Sequence, residues 1–367
     1  MEILSSVHFT GSISYLRKRK FVPCGISASF SDVNHIGSNI IVYIEIERKG
    51  GVPIPNIIQV SIQAHVAEGA VNCYIVADDP VTLIDTGIPG EITLRQIEEG
   101  LRQTGLQFRD IKQIVLTHIH HDHIGTVGEI QAESDARIYV HKLAQYKVQG
   151  GLNEYERNLE CFRQFKIECG VEEEMKYGGG PYKELQWRNV QYVSDGDRIP
   201  IGGRHYEVIY TPGHSQTDIC LWNPGTGIAF VGDFLFKRLS SGAMFVAPPP
   251  NVQERPKSLL QTISSYQKVQ DLPFSMLYPG HGEPFTGHID IIDERITRIY
   301  ERCEETQQVL KSEPQTAYEI CCALYPKRTG SISYAGLCQT QGYLDVLVHQ
   351  GHVECHRRGN RMYYHKN

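Results

Sequence analysis

The sequence lacks any apolar run that approaches the ~20 residues needed for a membrane-spanning helix. It also lacks internal repeats and long low-complexity segments. With 21% charged and 41% hydrophobic residues, the composition is that of an ordinary globular protein, and 367 residues suffice for more than one structural unit. We therefore expect a soluble protein with no membrane contact.

The ten cysteines are scattered along the chain and form no C-x-x-C pair. Cys220 and Cys303 fall within apolar patterns, where a free thiol packs as a small hydrophobic group. This usage predicts a reducing, cytoplasmic setting. The formal net charge of −6 provides no overall attraction to nucleic acid or to anionic membranes.

Residues 116–125 concentrate metal-binding side chains in the order H-x-H-x-D-H, directly after an apolar run typical of the end of a buried strand. Residues i and i+2 of an extended segment point the same way, so His118 and His120 can hold one metal ion. Asp122 and His123 lie one turn further on and can reach a second ion. Imidazole and carboxylate suit Zn²⁺, with iron or manganese as alternatives. The competing interpretation is a solvated, histidine-rich turn.

Three further candidate ligands follow apolar β-type runs elsewhere in the chain. His214 lies in T-P-G-H-S, Asp233 in G-D and His281 in P-G-H-G. Each adjoins a glycine, which lets the backbone approach a site closely. These positions are those that a dinuclear centre at strand ends requires.

The succession H-x-H-x-D-H, T-P-G-H-S, G-D and P-G-H-G resembles the metallo-β-lactamase superfamily over roughly residues 56–290. The alternation of strands and helices agrees with two sheets packed face to face with helices outside. The resemblance implies an α/β fold, the four-layer αββα sandwich, in a branch related to glyoxalase II and lactamase beta-like 2.

The resemblance also implies a role for each candidate residue. His118, His120 and His214 would hold one Zn²⁺, and Asp122, His123 and His281 the second. Asp233 would bridge the two ions, and Asp122 would orient the nucleophile and pass a proton to the leaving group. Asp85, in D-T-G after a predicted strand, would accept a hydrogen bond from a metal-bound histidine. From the residues alone, Asp85 is equally well a turn-forming aspartate.

The function that we predict is hydrolysis by a hydroxide bridging two metal ions. An ester, thioester, lactone or phosphodiester bond would suit this chemistry, so the substrate is either a small molecule or single-stranded RNA. One alternative is a single-iron sulfur dioxygenase, although the full set of ligands favours two metals. Another is an endoribonuclease, and a third is a non-enzymatic protein with a structural metal site.

We divide the chain into three parts. Residues 1–36 are predicted to be a disordered extension, and residues 37–312 the catalytic domain, with a helical insertion at about 142–185. Residues 313–367 read as two helices and a basic β-hairpin, which resemble a winged helix. Arg357, Arg358 and Arg361 lie in that hairpin, where they would contact nucleic acid or remain solvated. Homodimerisation and active-site support are the other roles considered for this domain.

Overall fold

The computed structural model describes residues 26–36, 39–48, 55–63, 69–172, 175, 182–238, 240–326 and 333–367. The strands in these ranges are β1 (Ile26–Ile36), β2 (Asn39–Arg48), β3 (Ile57–Ile62), β4 (Val71–Val76), β5 (Thr82–Ile84), β6 (Gln113–Val115), β7 (Arg137–His141), β8 (Val190–Val193), β9 (Arg198–Ile201), β10 (Arg204–Tyr210), β11 (Ile219–Trp222), β12 (Ile228–Gly232), β13 (Met276–Pro279), β14 (Val353–Arg358) and β15 (Arg361–Lys366). The α-helices are α1 (Glu91–Arg102), α2 (Val127–Ser134), α3 (Gln145–Cys169), α4 (Ser258–Val269), α5 (His288–Val309), α6 (Ala317–Leu324) and α7 (Tyr334–His349).

The strands form two sheets and a separate hairpin. The first sheet has the order β1-β2-β3-β4-β5-β6-β7-β8, and the second β13-β12-β11-β10-β9. In the first sheet, β5 to β8 are parallel, and in the second, β12 and β13 are parallel. Because the chain enters parallel neighbours from the same end, their carboxyl ends lie along one edge of each sheet.

The predicted disordered extension over residues 1–36 overlaps the first described strand. Residues 26–36 form β1 and pair antiparallel with β2, while residues 1–25 lie outside the described residues. The sequence left open whether the apolar strand after residue 39 joins the main sheet. It does, because β2 pairs on its other side with β3. An otherwise unpaired edge of β2 is thereby covered by β1.

Three hydrophobic clusters build the four layers. The cluster between the sheets contains Tyr74 and Val115 from the first sheet and Tyr206 and Phe230 from the second. A second cluster packs α1 and α2 on the outer face of the first sheet. A third packs α4 and α5 on the outer face of the second sheet. The predicted α/β fold with an αββα sandwich is therefore confirmed.

The C-terminal segment, residues 313–367, shares a hydrophobic cluster with the helices before it. That cluster joins Phe162 and Phe165 of α3 to Leu344 of α7 and Tyr364 of β15. A capping box at Thr316 begins α6, since the Thr316 hydroxyl accepts a hydrogen bond from the backbone N–H of Glu319. The hairpin β14–β15 has its turn at residues 359–360. The likeness to a winged helix stays a prediction, as do the domain limits.

The predicted insertion at about 142–185 contains α3, which has a kink at Gly151 (φ 54°, ψ −136°). Residues 173–174 and 176–181 of that insertion lie outside the described residues. In the part of the chain that is described, no helix is both long and apolar enough to cross a membrane.

Candidate metal centre

The ligand loop begins where β6 ends, and a carboxylate after the neighbouring strand fixes its start. Asp85 follows β5, is buried and has a positive φ of 55°. Its carboxylate accepts hydrogen bonds from the backbone N–H of Thr117 at 2.8 Å and from the Thr117 hydroxyl at 2.7 Å. Because β5 and β6 are parallel neighbours, Asp85 meets the residue that precedes His118.

The seven side chains predicted as metal ligands converge, although they come from four separate parts of the chain. Within each of three groups, the ligand atoms all lie within 4.8 Å of one another. The groups are His118–His120–His214, His118–His123–Asp233 and Asp122–His123–His281. The first and third are the two sets expected from the sequence. The Asp233 carboxylate approaches both, at 3.5 Å from His214 Nε2 and 3.4 Å from His281 Nε2.

Four polar atoms of the centre are buried and have no hydrogen-bond partner among the described residues. They are His118 Nε2, His123 Nε2, His281 Nε2 and Asp233 Oδ1. In two of these rings, the other nitrogen makes a hydrogen bond. His123 Nδ1 lies 2.9 Å from Asp85 Oδ2, and His281 Nδ1 lies 2.9 Å from the Ala70 carbonyl oxygen. Burial of polar atoms without partners costs free energy. A divalent cation among imidazole and carboxylate atoms would satisfy them, so the residues fit a metal.

The electrostatics of the centre also suit a cation. Burial alone would raise the pKa of Asp233, but His123 and His281 outweigh it and lower that pKa well below its ordinary value. The pKa of Asp122 is likewise lowered, because the neighbouring imidazoles of His281, 3.6 Å away, and of His123 together outweigh burial. Burial lowers the pKa of His118 well below its ordinary value, which keeps this imidazole neutral. Divalent metals bind ionised carboxylates and neutral imidazole, so His123 and His281, whose pKa values the neighbouring carboxylates raise, would release protons when a metal binds.

The candidate ligands differ in their exposure to solvent, and His120 is half-buried. The side chains of His118, His123 and His281 are at most 1% exposed. By contrast, the side chain of Asp122 is 10% exposed and that of His214 is 13% exposed. A substrate would therefore enter past Asp122 and His214.

Asp218 is a residue of the site that the sequence motifs do not reveal, because it lies outside T-P-G-H-S, just before the next strand. It precedes β11, is buried, and accepts a hydrogen bond from the backbone N–H of Ser215 at 2.6 Å. Its Oδ1 lies 3.8 Å from His118 Nδ1. The sequence feature that could have identified Asp218 is a carboxylate in the same loop as the candidate ligand His214. Asp218 holds this loop beside His118.

Asn72 is a second missed residue, and it carries the loop that contains His281. Asn72 lies on β4 of the first sheet, whereas the loop follows β13 of the second. Its side-chain amide donates to the carbonyl oxygens of Gly282 at 2.7 Å and Pro279 at 3.0 Å. Its backbone N–H donates to the Gly280 carbonyl at 2.7 Å. Asn72 thus links the two sheets on either side of a candidate ligand.

We predict that Asn72→Ala weakens zinc binding by about 10- to 100-fold, the range for groups that orient metal ligands. Competition with a chromophoric chelator measures this affinity. Asn223→Ala is the matched control. Asn223 is also buried, and its side-chain amide also donates to a backbone carbonyl, that of His205. It follows β11, however, at the end of that strand opposite the candidate ligands. Equal loss of zinc affinity in both variants would contradict a specific role for Asn72.

The comparisons with known proteins agree with the site. The family model described as the metallo-beta-lactamase superfamily matches residues 66–281. The probable metallo-hydrolase YqjP of Bacillus subtilis (strain 168) is 26% identical over 314 residues, which cover 84% of this chain and 97% of that protein. The beta-lactamase-like protein 2 homolog of Caenorhabditis elegans is 26% identical over 274 residues, covering 74% of this chain and 76% of its own.

One further relative matches only part of the chain, and one solved structure is similar in fold. A hydroxyacylglutathione hydrolase of Maricaulis maris (strain MCS10) is 30% identical over 139 residues, 38% of this chain and 39% of that protein. The crystal structure of a metallo-beta-lactamase family protein from Thermus thermophilus has a TM-score of 0.67 at 22% identity. It covers 86% of this chain and 99% of its own, and at this identity the likeness concerns the fold alone.

Proposed function

Because this chain belongs to the metallo-beta-lactamase superfamily, we propose that it hydrolyses an ester, thioester, lactone or phosphodiester bond with the help of two bound metal ions. The observation that carries the proposal is the set of buried, unpartnered atoms on His118, His123, His281 and Asp233. Such atoms, aimed at one another, are a costly arrangement for a structural core. They are the expected arrangement for a cation site that remains open to a substrate.

In the proposed assignment, His118, His120 and His214 would hold one ion, and Asp122, His123 and His281 would hold the second. Asp233 would contribute its carboxylate to both. We propose zinc, with iron or manganese as alternatives for the same donor atoms. When bound, such ions lower the pKa of water and polarise the bond under attack. Two complete ligand groups support two ions over the single iron of a dioxygenase.

The protein side chains have distinct parts in this reaction. Asp122 is ionised at neutral pH, and its side chain is 10% exposed. It can therefore accept a proton from the attacking water and deliver it to the leaving group. Asp85 holds His123 through its Nδ1, which directs Nε2 inward. The buried side chains of His118, His123 and His281 are shielded from solvent.

The test is a panel of substrates with protein loaded with zinc, iron or manganese. It contains a nitrophenyl ester, a 2-hydroxyacyl thioester, a lactone, a phosphodiester and labelled single-stranded RNA. We expect turnover that a chelator removes and that Asp122→Asn lowers by about 10²- to 10⁴-fold, the usual contribution of a general acid–base group. A protein that holds two metal ions and turns over no member of the panel would contradict the proposal.

Within the panel, the thioester is the first choice for a small-molecule substrate. The support is the partial similarity to the hydroxyacylglutathione hydrolase, whose name describes thioester chemistry. RNA has less support, because two hairpin arginines are already engaged within the molecule. Arg357 pairs with Glu168 at 2.6 Å and Arg361 with Glu172 at 2.8 Å. Metal-dependent RNA cleavage that Asp122→Asn abolishes would make the endoribonuclease the better assignment.

A further inference from the structure

Helix α3 brings an ammonium group to the ligand loop. Lys147, in the first turn of α3, donates from Nζ to the carbonyl oxygen of Ile119 at 2.9 Å. Ile119 separates His118 from His120, so this positive charge lies beside the candidate ligands. Lys147 is exposed to solvent. A lysine has three N–H donors, and this one has a single hydrogen-bond acceptor among the described residues.

A second ammonium group lies at the other end of the same loop. Lys183 donates from Nζ to the carbonyl oxygen of Gly125 at 3.1 Å. Lys147 and Lys183 both belong to the insertion after β7 and flank residues 119–125. The chain as a whole is acidic, with a formal net charge of −6. With metal ions bound, these two ammonium groups would add positive charge beside the ionised Asp122 and favour an anionic ligand.

The insertion also exposes apolar surface next to these charges. Of the seven large hydrophobic side chains that are exposed among the described residues, three lie here, namely Tyr146, Leu152 and Tyr182. The Tyr182 ring packs 5.5 Å from that of Tyr155, between ring centroids. At the kink in α3, the Tyr182 hydroxyl lies close to Gly151. A Cβ added to Gly151 would be 3.6 Å from this hydroxyl oxygen. Exposed apolar groups that cluster in one place commonly mark a binding surface.

We infer that α3 and the segment around Lys183 form the substrate-recognition surface of the metal centre, and that this surface takes an ester with an apolar or aromatic body and one carboxylate. The inference rests on the proposed function, because it assigns the substrate of that same centre. Lys147 binds the carboxylate as a compact positive charge. The exposed tyrosines and Leu152 contact the apolar body.

The competing explanation is that Lys147 only holds the ligand loop in place. A loop-holding residue would alter the affinity for charged and uncharged ligands alike. A carboxylate-binding residue changes the ratio between them. The experiment therefore compares two ligands of one shape, 4-phenylbutyrate and its uncharged amide, 4-phenylbutanamide.

Calorimetric titration of the zinc-loaded full-length protein gives both dissociation constants. We expect the carboxylate to bind about tenfold more tightly than the amide, the order expected for one hydrogen bond to a charged group. Lys147→Met abolishes this preference, and Lys147→Arg retains part of it. Lys112→Met is the matched control, because Lys112 is an exposed lysine that precedes β6 and so lies at the opposite end of that strand from the ligand loop.

The remaining outcomes overturn the inference. Equal affinities in the unmodified protein, or no measurable binding of either ligand, leave no carboxylate site. A preference that survives in Lys147→Met assigns the carboxylate to the metal ions or to Lys183 and rules out Lys147. Because the titration measures binding without turnover, a failed substrate panel and a failed carboxylate preference are separate results.

Discussion

Replacement of Asp233 by alanine is expected to abolish turnover while the fold survives. The carboxylate lies 3.4 to 3.9 Å from Nε2 of four histidines, and it is the group that approaches both ligand sets. Without it, one negative charge that balances the cations is lost. Metal ions contribute several kcal/mol to hydrolysis, so we expect a loss on the order of 10³-fold or more. Initial rates with the best member of the substrate panel measure it.

Two controls separate loss of the metal centre from loss of the fold. Circular dichroism of Asp233→Ala should match the unmodified protein, because the replaced side chain contacts ligands and not the inter-sheet cluster. Asp195→Ala removes a carboxylate that is 53% exposed and paired with Lys268, and it should retain full activity. Retained turnover in Asp233→Ala, with metal loss confirmed by elemental analysis, would rule out the assignment of Asp233.

The sequence predicts the candidate centre well because its ligands lie in short motifs at strand ends. His118 and His120 are two residues apart, so their convergence needs only local geometry. His214 and His281 are distant in sequence, and their positions follow from the parallel edges of two sheets. The resemblance to a known family supplied that arrangement, since spacing alone does not specify how the sheets face each other.

Other features depend on contacts that no local pattern encodes. Asn72 is an ordinary strand residue until β4 meets the loop after β13, over 200 residues later in the chain. The C-terminal segment read as a separate unit, yet Cys169 of α3 contacts Gln341 of α7, and Gly170 packs against Thr316. Composition did not reveal that packing, because a buried cysteine or glycine does not indicate which distant part of the chain will cover it.

Replacement of Gly125 by alanine is expected to destabilise the protein strongly, because the ligand loop has no room for the added methyl group. A Cβ at this position would lie 2.2 Å from the backbone nitrogen of Pro89 and 2.5 Å from the carbonyl oxygen of Gly87. These are backbone atoms, so no side chain can rotate away. The Gly125 N–H also donates to the Gly87 carbonyl at 2.8 Å, a contact that the clash would break.

We expect Gly125→Ala to lower the free energy of unfolding by about 3 kcal/mol, the upper part of the range for overpacked sites. Urea denaturation measures it, and the zinc content should fall because Gly125 follows His123 closely in the loop. Gly128→Ala is the matched control, since a Cβ there meets nothing within 4 Å and Gly128 lies in α2. Alanine favours a helix over glycine by about 1 kcal/mol, so this variant should be at least as stable as the unmodified protein. Similar stability of the two variants would mean that the loop yields to the added methyl group, and that the close contact with residues 87–89 does not hold the ligands in place.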